Sequence, residues 1–336
     1  MKSITLGING FGRIGRTLFR LLREEPNIHV GAVNDVADID TLAHLLKYDS
    51  IHGIFPDAVS VDKNTLLTPK GTTRFSHSEQ PDGIPWEESG VDLVIEATGR
   101  FKTRESLQGH LMAGAPRVML TAPPPEDDIP MVVYGINQDS LGKHDRIFSN
   151  ASCTTHNAAP MIAILDKLCG IQQAYITTVH SYTSDQSLHD RPHRDLRRAR
   201  AAGQSIVPTT TGAAKALTRI FPHLSSAIGG CGIRVPVPNG SLTDITANVL
   251  KPTSIEEINA TFKAFSLNEF KKVLQYTEDP IVSIDINNSC YSCTFDSQMT
   301  SVIGNMVKVI GWYDNETGYS SRIIDTVKWM TEKDYL

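Results

Sequence analysis

The first 150 residues alternate two hydrophobic rhythms. Short apolar runs, SITLGIN (3–9), IHVGAVN (28–34), VDLVIE (91–96), RVMLTA (117–122), MVVYGIN (131–137) and RIFSN (146–150), read as buried strands. Between them lie stretches with helical spacing. Ile14, Leu18, Leu21 and Leu22 form one apolar stripe, and Pro26 and Asn27 end that helix. RESLQGHLMAG (104–114) is another, with a glycine stop. Strands alternating with helices predict a doubly wound, Rossmann-type parallel sheet. In such a sheet ligands sit at the carboxyl ends of strands, where Thr98, Gly99 and Thr121 fall.

A chain of 336 residues exceeds one typical core and fits two domains. With 40% hydrophobic and 21% charged residues it reads as globular, not disordered. A formal charge of −5 offers no basic field, so neither nucleic acid nor an anionic membrane is an expected partner. The opening MKSITLGINGFGRIG lacks the apolar core of a secretory signal, and no window is apolar enough to cross a bilayer. Five scattered cysteines do not resemble a disulfide framework, so reduced thiols and a cytoplasmic location are expected. Cys290 and Cys293 form a CxxC inside VSIDINNSCYSCTF, which reads as a strand with the two thiols on opposite faces. No second pair completes a zinc site, and no metal is expected.

The first strand leads into Gly10-Phe11-Gly12-Arg13-Ile14-Gly15 and then a helix. Glycines there permit a tight turn and let backbone N–H groups approach a pyrophosphate over the helix N-terminus. Asp35 ends the second strand, placed to accept from ribose hydroxyls. Its charge repels a 2′-phosphate, favouring NAD over NADP.

In the second half, SNASCTTHNAAP (149–160) sets Cys153 among small polar residues, and MIAILDKL (161–168) continues with helical periodicity. In a helix's first turn, Cys153 gains thiolate character from the dipole. Pro160 either starts that helix or kinks it. His180, in the strand-like QAYITTVHSYT, is a candidate base for the thiol. HDRPHRDLRRAR (189–200) reads as a solvated basic face. PTTTGAAKAL (208–217) and Arg234 together suggest a phosphate-bearing substrate.

INGFGRIGR, SNASCTT, TTVHSYT, PTTTGAAKA, RVPVPN and WYDNETGYS closely resemble the phosphorylating glyceraldehyde-3-phosphate dehydrogenases, in order and over essentially the whole chain. The resemblance implies a homotetramer of two-domain subunits. A nucleotide-binding domain covers 1–150 and is completed by the C-terminal helix 316–336. An α+β catalytic domain with a mostly antiparallel sheet covers 151–315. It implies Cys153 as nucleophile and His180 as base. It implies Ser152, Thr154, Thr183, Arg198, Thr211, Gly212 and Arg234 around the substrate phosphate and inorganic phosphate. Gly10, Gly12, Arg13, Ile14, Asp35, Thr98, Gly99, Thr121 and Asn315 are the implied NAD contacts, Asn315 at the nicotinamide amide. The implied reaction oxidises glyceraldehyde 3-phosphate to 1,3-bisphosphoglycerate through a thiohemiacetal and a thioester.

Some positions depart from the family. His156-Asn157 replaces its usual Asn-Cys, and His156 lies one turn from Cys153, placed to alter the thiol's pKa or simply to bond the backbone. Glu79 stands where the family often has Lys or Arg near the adenine, and Arg191 lies in a loop that approaches a neighbouring subunit's cofactor ribose in the family. TGY replaces the usual FGY after NE, a change without an interpretation. AHLLKYDS, VVYGINQDSL and DLRRARAA also resemble the erythrose-4-phosphate dehydrogenase branch, but Thr183 and Thr211-Gly212, which that branch tends to lose, are kept. The third alternative is a paralogue that binds NAD without catalysing; intact Cys153, His180 and Arg234 oppose it.

Overall fold

The computed structural model describes residues 2–336, which form two compact units. The first holds an eight-stranded sheet. Its strands are β1 (Ile4–Asn9), β2 (Ile28–Asn34), β5 (Ser60–Asp62), β6 (Thr65–Thr68), β7 (Gly71–Ser76), β8 (Leu93–Glu96), β9 (Val118–Leu120) and β10 (Ile147–Ser149). A small hairpin, β3 (Tyr48–Asp49) with β4 (Gly53–Ile54), stands apart. The strand order is β10-β9-β8-β1-β2-β7-β6-β5, parallel from β10 to β7 and antiparallel beyond. Helices α1 (Arg13–Leu21), α2 (Ile39–Lys47) and α3 (Arg104–Met112) belong to this unit. Consecutive buried residues along β8 and β9 show that both faces of the sheet centre are covered, the condition for a parallel sheet. Chain order reverses between β1 and β8, so the crevice at their carboxyl ends is the binding edge of such a sheet.

The second unit carries a mixed, mostly antiparallel sheet of β11 (Ile171–Ser181), β12 (Val207–Thr209), β13 (Ile228–Val235), β14 (Ser241–Val249), β15 (Leu274–Thr277), β16 (Cys293–Asp296), β17 (Ser301–Ile303) and β18 (Met306–Tyr313). One face, with Ile176, Thr178, Ile245, Ala247, Val307 and Val309, is buried, and α4 (Cys153–Cys169) packs against β14 and β18. Helices α5 (Ala213–Ile220) and α6 (Ile255–Leu267) complete the unit. The last helix, α7 (Thr317–Glu332), passes into the first unit, where Thr326 Oγ1 donates to Asn150 and Lys328 pairs with Glu25 at 2.6 Å.

Three sequence expectations need correction. MVVYGIN is not a strand: Gly135 has φ +87°, the Ile136 amide closes a turn on Val133, and only Met131 bridges the sheet. Residues 133–137 pack in the second unit, where a Cβ on Gly135 would meet Val273 at 2.8 Å; the first unit runs to Ala151 and resumes at Ser320. VSIDINNSCYSCTF is a strand only over its last residues, after a 3-10 turn at Ser283–Ile286; Cys290 is exposed, Cys293 is buried, and neither is in a disulfide.

Candidate active site

The register of the first sheet sets Asn9 level with Asn34 on one side and Glu96 on the other, so the loops after β1, β2 and β8 leave together. Gly10 takes φ +94°, and a Cβ there would lie 2.7 Å from the Thr98 amide. A Cβ on Gly15 would lie 2.2 Å from the Gly10 carbonyl oxygen, so that glycine lets α1 close onto the turn. Phe11 points down into the core, edge-on to Phe19 and Phe75. Gly12, with φ −73°, has no atom within 4 Å of a built Cβ, so its emptiness is free for a ligand. Asp35 accepts from the Phe11 amide at 2.7 Å, which draws the carboxylate to the turn. Arg13 starts α1, but its guanidinium pairs with Asp49 at 2.5 Å. Burial works to raise Asp49; Arg13 and the His52 and Ile51 amides outweigh it and hold the carboxyl well below its usual range. Ile14 is half-buried on α1, Thr98 and Gly99 are exposed, and Thr121 Oγ1 donates to the Glu96 carbonyl. These residues suit a dinucleotide: open glycine backbone at a helix N-terminus, with an acid beside it. Gly12→Val is expected to leave the apoprotein's Tm within a few degrees yet abolish NAD binding by calorimetry, because the side chain fills ligand space only.

In the second unit, Ser152 caps α4, accepting from the Thr155 amide at 3.2 Å, and Cys153 is the first helical residue. Ala151 precedes them with φ +50°, a left-handed conformation costly for a residue with a Cβ. Pro160 lies inside α4, one helix running from Cys153 through it. His180, near the end of β11, brings Nε2 to 3.4 Å from Cys153 Sγ. Parallel register pairs His180 with Arg234 of β13, and Arg234 Nη1 lies 2.8 Å from His180 Nδ1. The Ser181 carbonyl lies 2.8 Å from that Nδ1 and also accepts from Arg234 Nη1. In the tautomer whose Nδ1–H donates to this carbonyl, the Nε2 lone pair faces the sulfur; a guanidinium N–H donating to Nδ1 selects the other tautomer.

Burial pushes the Cys153 thiol up, against the opposing charge of Arg234. Burial, joined by Arg234, pushes His180 down to about 3. Desolvation thus favours the uncharged thiol and the uncharged imidazole, against the pull of the helix start on the sulfur. His156 is buried with Nδ1 3.1 Å from the Ser152 carbonyl, to which it donates, and its ring lies edge-on to Tyr319. The backbone bond expected for it is formed.

The anion candidates divide into two groups. Strand β12 runs beside Arg234 and leads through Thr211, whose hydroxyl accepts from the Ala213 amide, to Gly212 at the N-terminus of α5. Thr183 follows β11 in a turn closed by the Gln186 amide. Arg198 is held by Asp185 at 2.7 Å, by Thr209 Oγ1 at 2.9 Å and by the Thr210 carbonyl. Asp185 is exposed; its partial desolvation works to raise it, but Arg198 and His193 hold it below its usual range. Thr154 is only 5% exposed, and its hydroxyl bonds Tyr313 Oη at 2.9 Å instead of facing an anion. Asn315 Oδ1 accepts from Ser181 and Ser241, which fixes its carboxamide.

Tyr313 was legible only as part of the WYDNE motif; nothing in the pattern marked its role. Its buried hydroxyl also meets Thr178 Oγ1 at 3.0 Å, and its ring packs edge-on to His180. The phenol ties the thiol's helix to the imidazole's strand. Tyr313→Phe is expected to cost about 1–2 kcal/mol of stability and slow turnover about tenfold, measured by denaturant titration and NADH formation.

A thiol poised against an imidazole, in a chain that also carries a dinucleotide fold, fits the class of nicotinamide-dependent oxidoreductases. Residues 4–104 match the model of the glyceraldehyde 3-phosphate dehydrogenase NAD binding domain, and residues 152–315 match that of the C-terminal domain. Glyceraldehyde-3-phosphate dehydrogenase of Geobacillus stearothermophilus is 49% identical over 333 residues, covering 98% of this chain and 99% of that one. That of Mycobacterium avium is 48% identical over 332 residues, covering 97% and 98%. Glyceraldehyde-3-phosphate dehydrogenase 1 of Bacillus subtilis is 46% identical over 334 residues, covering 98% and 99%. The chain belongs to the glyceraldehyde-3-phosphate dehydrogenase family, and NAD is its cofactor. No helix among the described residues is long and apolar enough to cross a membrane.

Proposed function

We propose that the protein oxidises glyceraldehyde 3-phosphate and joins it to inorganic phosphate in one site, forming 1,3-bisphosphoglycerate and NADH. The 3.4 Å approach of Cys153 Sγ to His180 Nε2 carries this reading. Cys153 attacks the aldehyde carbon as His180 takes the thiol proton. The oxyanion so formed is met by the Cys153 amide at the helix start and by the imidazolium, which protonates it. His180 then removes that hydroxyl proton as the carbon loses its hydride, leaving a thioester. Bound NAD⁺ supplies the hydride acceptor. Phosphate attacks the thioester carbonyl, the C–S bond breaks, and the sulfur leaves as thiolate. A thioester suits this step because thiolate is a good leaving group.

Arg234 and Thr183 are assigned to the substrate phosphate, and Ser152, Thr211, Gly212 and Arg198 to the attacking phosphate. An anion on Arg234 cancels part of the charge that holds His180 down, so substrate binding strengthens the base. Gly10, Gly12 and Asp35 are assigned to the dinucleotide and Asn315 to its carboxamide. Retention of Thr183 and Thr211-Gly212 favours glyceraldehyde 3-phosphate over erythrose 4-phosphate. The test compares kcat/KM for both sugars, with and without phosphate, at the NADH absorbance band. Phosphate-dependent preference for the triose is expected; preference for the tetrose, or no NADH, defeats the assignment.

The protein is read as a cytoplasmic homotetramer. The outer face of the second sheet supports this reading: Val179, Ile233 and Leu242 share one half-buried row, and Tyr175, two rows further along the same face, is exposed. A half-buried apolar row on this face suits a second copy of the chain. Light scattering with chromatography measures the subunit number directly.

A further inference from the structure

A fully buried set of polar side chains lies in the first unit, outside every role assigned so far. Glu96, His110 and Trp86 each have 0% exposure. Trp86 Nε1 donates to His110 Nδ1 at 3.0 Å. An indole N–H only donates, so His110 carries its proton on Nε2, and that N–H donates to Glu96 Oε2, 3.0 Å away. Glu96 Oε2 also accepts from Asn9 Nδ2 at 2.6 Å. Its other oxygen accepts from the Thr98 amide at 2.8 Å and from the Thr98 hydroxyl. Four donors fill the two oxygens, so Glu96 acts as an acceptor only. The chain of bonds continues sideways: Asn34 Nδ2 donates to Asn9 Oδ1, and Asn34 Oδ1 accepts from Ser76 Oγ and the Ser78 amide. One network thus crosses the carboxyl ends of β8, β1, β2 and β7. Gly7 is part of its housing, since a Cβ there would strike the Trp86 ring at 2.7 Å.

We propose that Trp86, His110 and Glu96 form a positioning relay for the dinucleotide. Glu96 suspends the Thr98–Arg100 turn, whose Arg100 amide donates in turn to Thr98 Oγ1. Gly10 lies directly against the Thr98 backbone, so the turn's position sets that of the glycine loop. A carboxylate and imidazole below the sheet edge, touching no ligand, therefore set how closely the two loops approach. Buried networks satisfied at every atom are rigid, and one missing member frees the rest. The relay matters only if the Gly10–Gly12 turn holds the dinucleotide, the role proposed for it.

The test uses the full-length protein and three measurements: NAD⁺ Kd of the apoprotein by calorimetry, hydrogen exchange of the Thr98 amide, and Tm. His110→Leu removes donor and acceptor together. Its Kd is expected to rise about tenfold or more, the effect of losing one bond to a buried charge, with kcat at saturating NAD⁺ within about twofold. Thr98 protection should fall in parallel. His110→Gln restores one donor and one acceptor, and its Kd should return to within about threefold of the original. A purely structural role lowers Tm and leaves the Kd unmoved, which overturns the proposal. Should His110→Leu fail to fold, Trp86→Phe replaces it, with a Kd raised about threefold expected for a neutral bond lost; an unchanged Kd overturns the relay. Gly12→Val separates the premises. If it binds NAD⁺ normally, the cradle assignment falls. If it loses binding while the His110 variants keep theirs, the relay alone falls.

Discussion

Cys153→Ser is expected to lower turnover about 10⁴-fold or more while leaving NAD⁺ affinity within a factor of about two. A hydroxyl is far less acidic than a thiol, and His180, held down to about 3 by burial and Arg234, is too weak a base to ionise it in the resting site. An ester would also resist phosphate more than a thioester does, so the second half-reaction slows as well. The readouts are the NADH burst and the steady rate in stopped flow. A serine variant with more than about one-hundredth of normal turnover removes Cys153 from the nucleophile's role.

His180→Gln is expected to slow turnover about 10³-fold, within the range for loss of a general acid–base group. It carries a second, independent effect on stability. His180's folded pKa lies below its unfolded value of about 6.5, so the unfolded chain binds the extra proton. Stability is therefore complete above about pH 6.5 and is lost as pH falls from there toward 3. Glutamine has no such proton, so the variant's acid limb should be flatter between pH 6 and 4 in urea titrations. Parallel limbs for the two proteins would mean that His180 titrates normally and faces solvent.

The fold was legible because its determinants are local. Strands of β1, β2, β8 and β9 announced themselves as short apolar runs, and their alternation with helices implied a parallel sheet. MVVYGIN misled because an apolar run does not distinguish a strand from a buried turn; a glycine with positive φ decided it. CYSCTF misled for the same reason, since only its pairing with β15, Cys293 opposite Leu274, marks where the strand begins.

The site was half legible. Cys153, His180 and Arg234 stood out by residue type and motif, but their meeting depends on one register, His180 beside Arg234, and on the start of α4. Arg198 was visible as a charge, yet its partner Asp185 was not.

What the sequence alone determined about this protein is therefore its element types, its dinucleotide turn and the chemistry available to it, because these follow from spacing and side-chain identity within a few residues. Only the tertiary structure decided the burial that acts on the thiol and imidazole, the inward turn of Thr154 to Tyr313, and the Trp86–His110–Glu96 set. Each depends on burial and on groups brought together from 14 to 159 positions apart. Desolvation and hydrogen-bond geometry exist only once the chain has closed on itself.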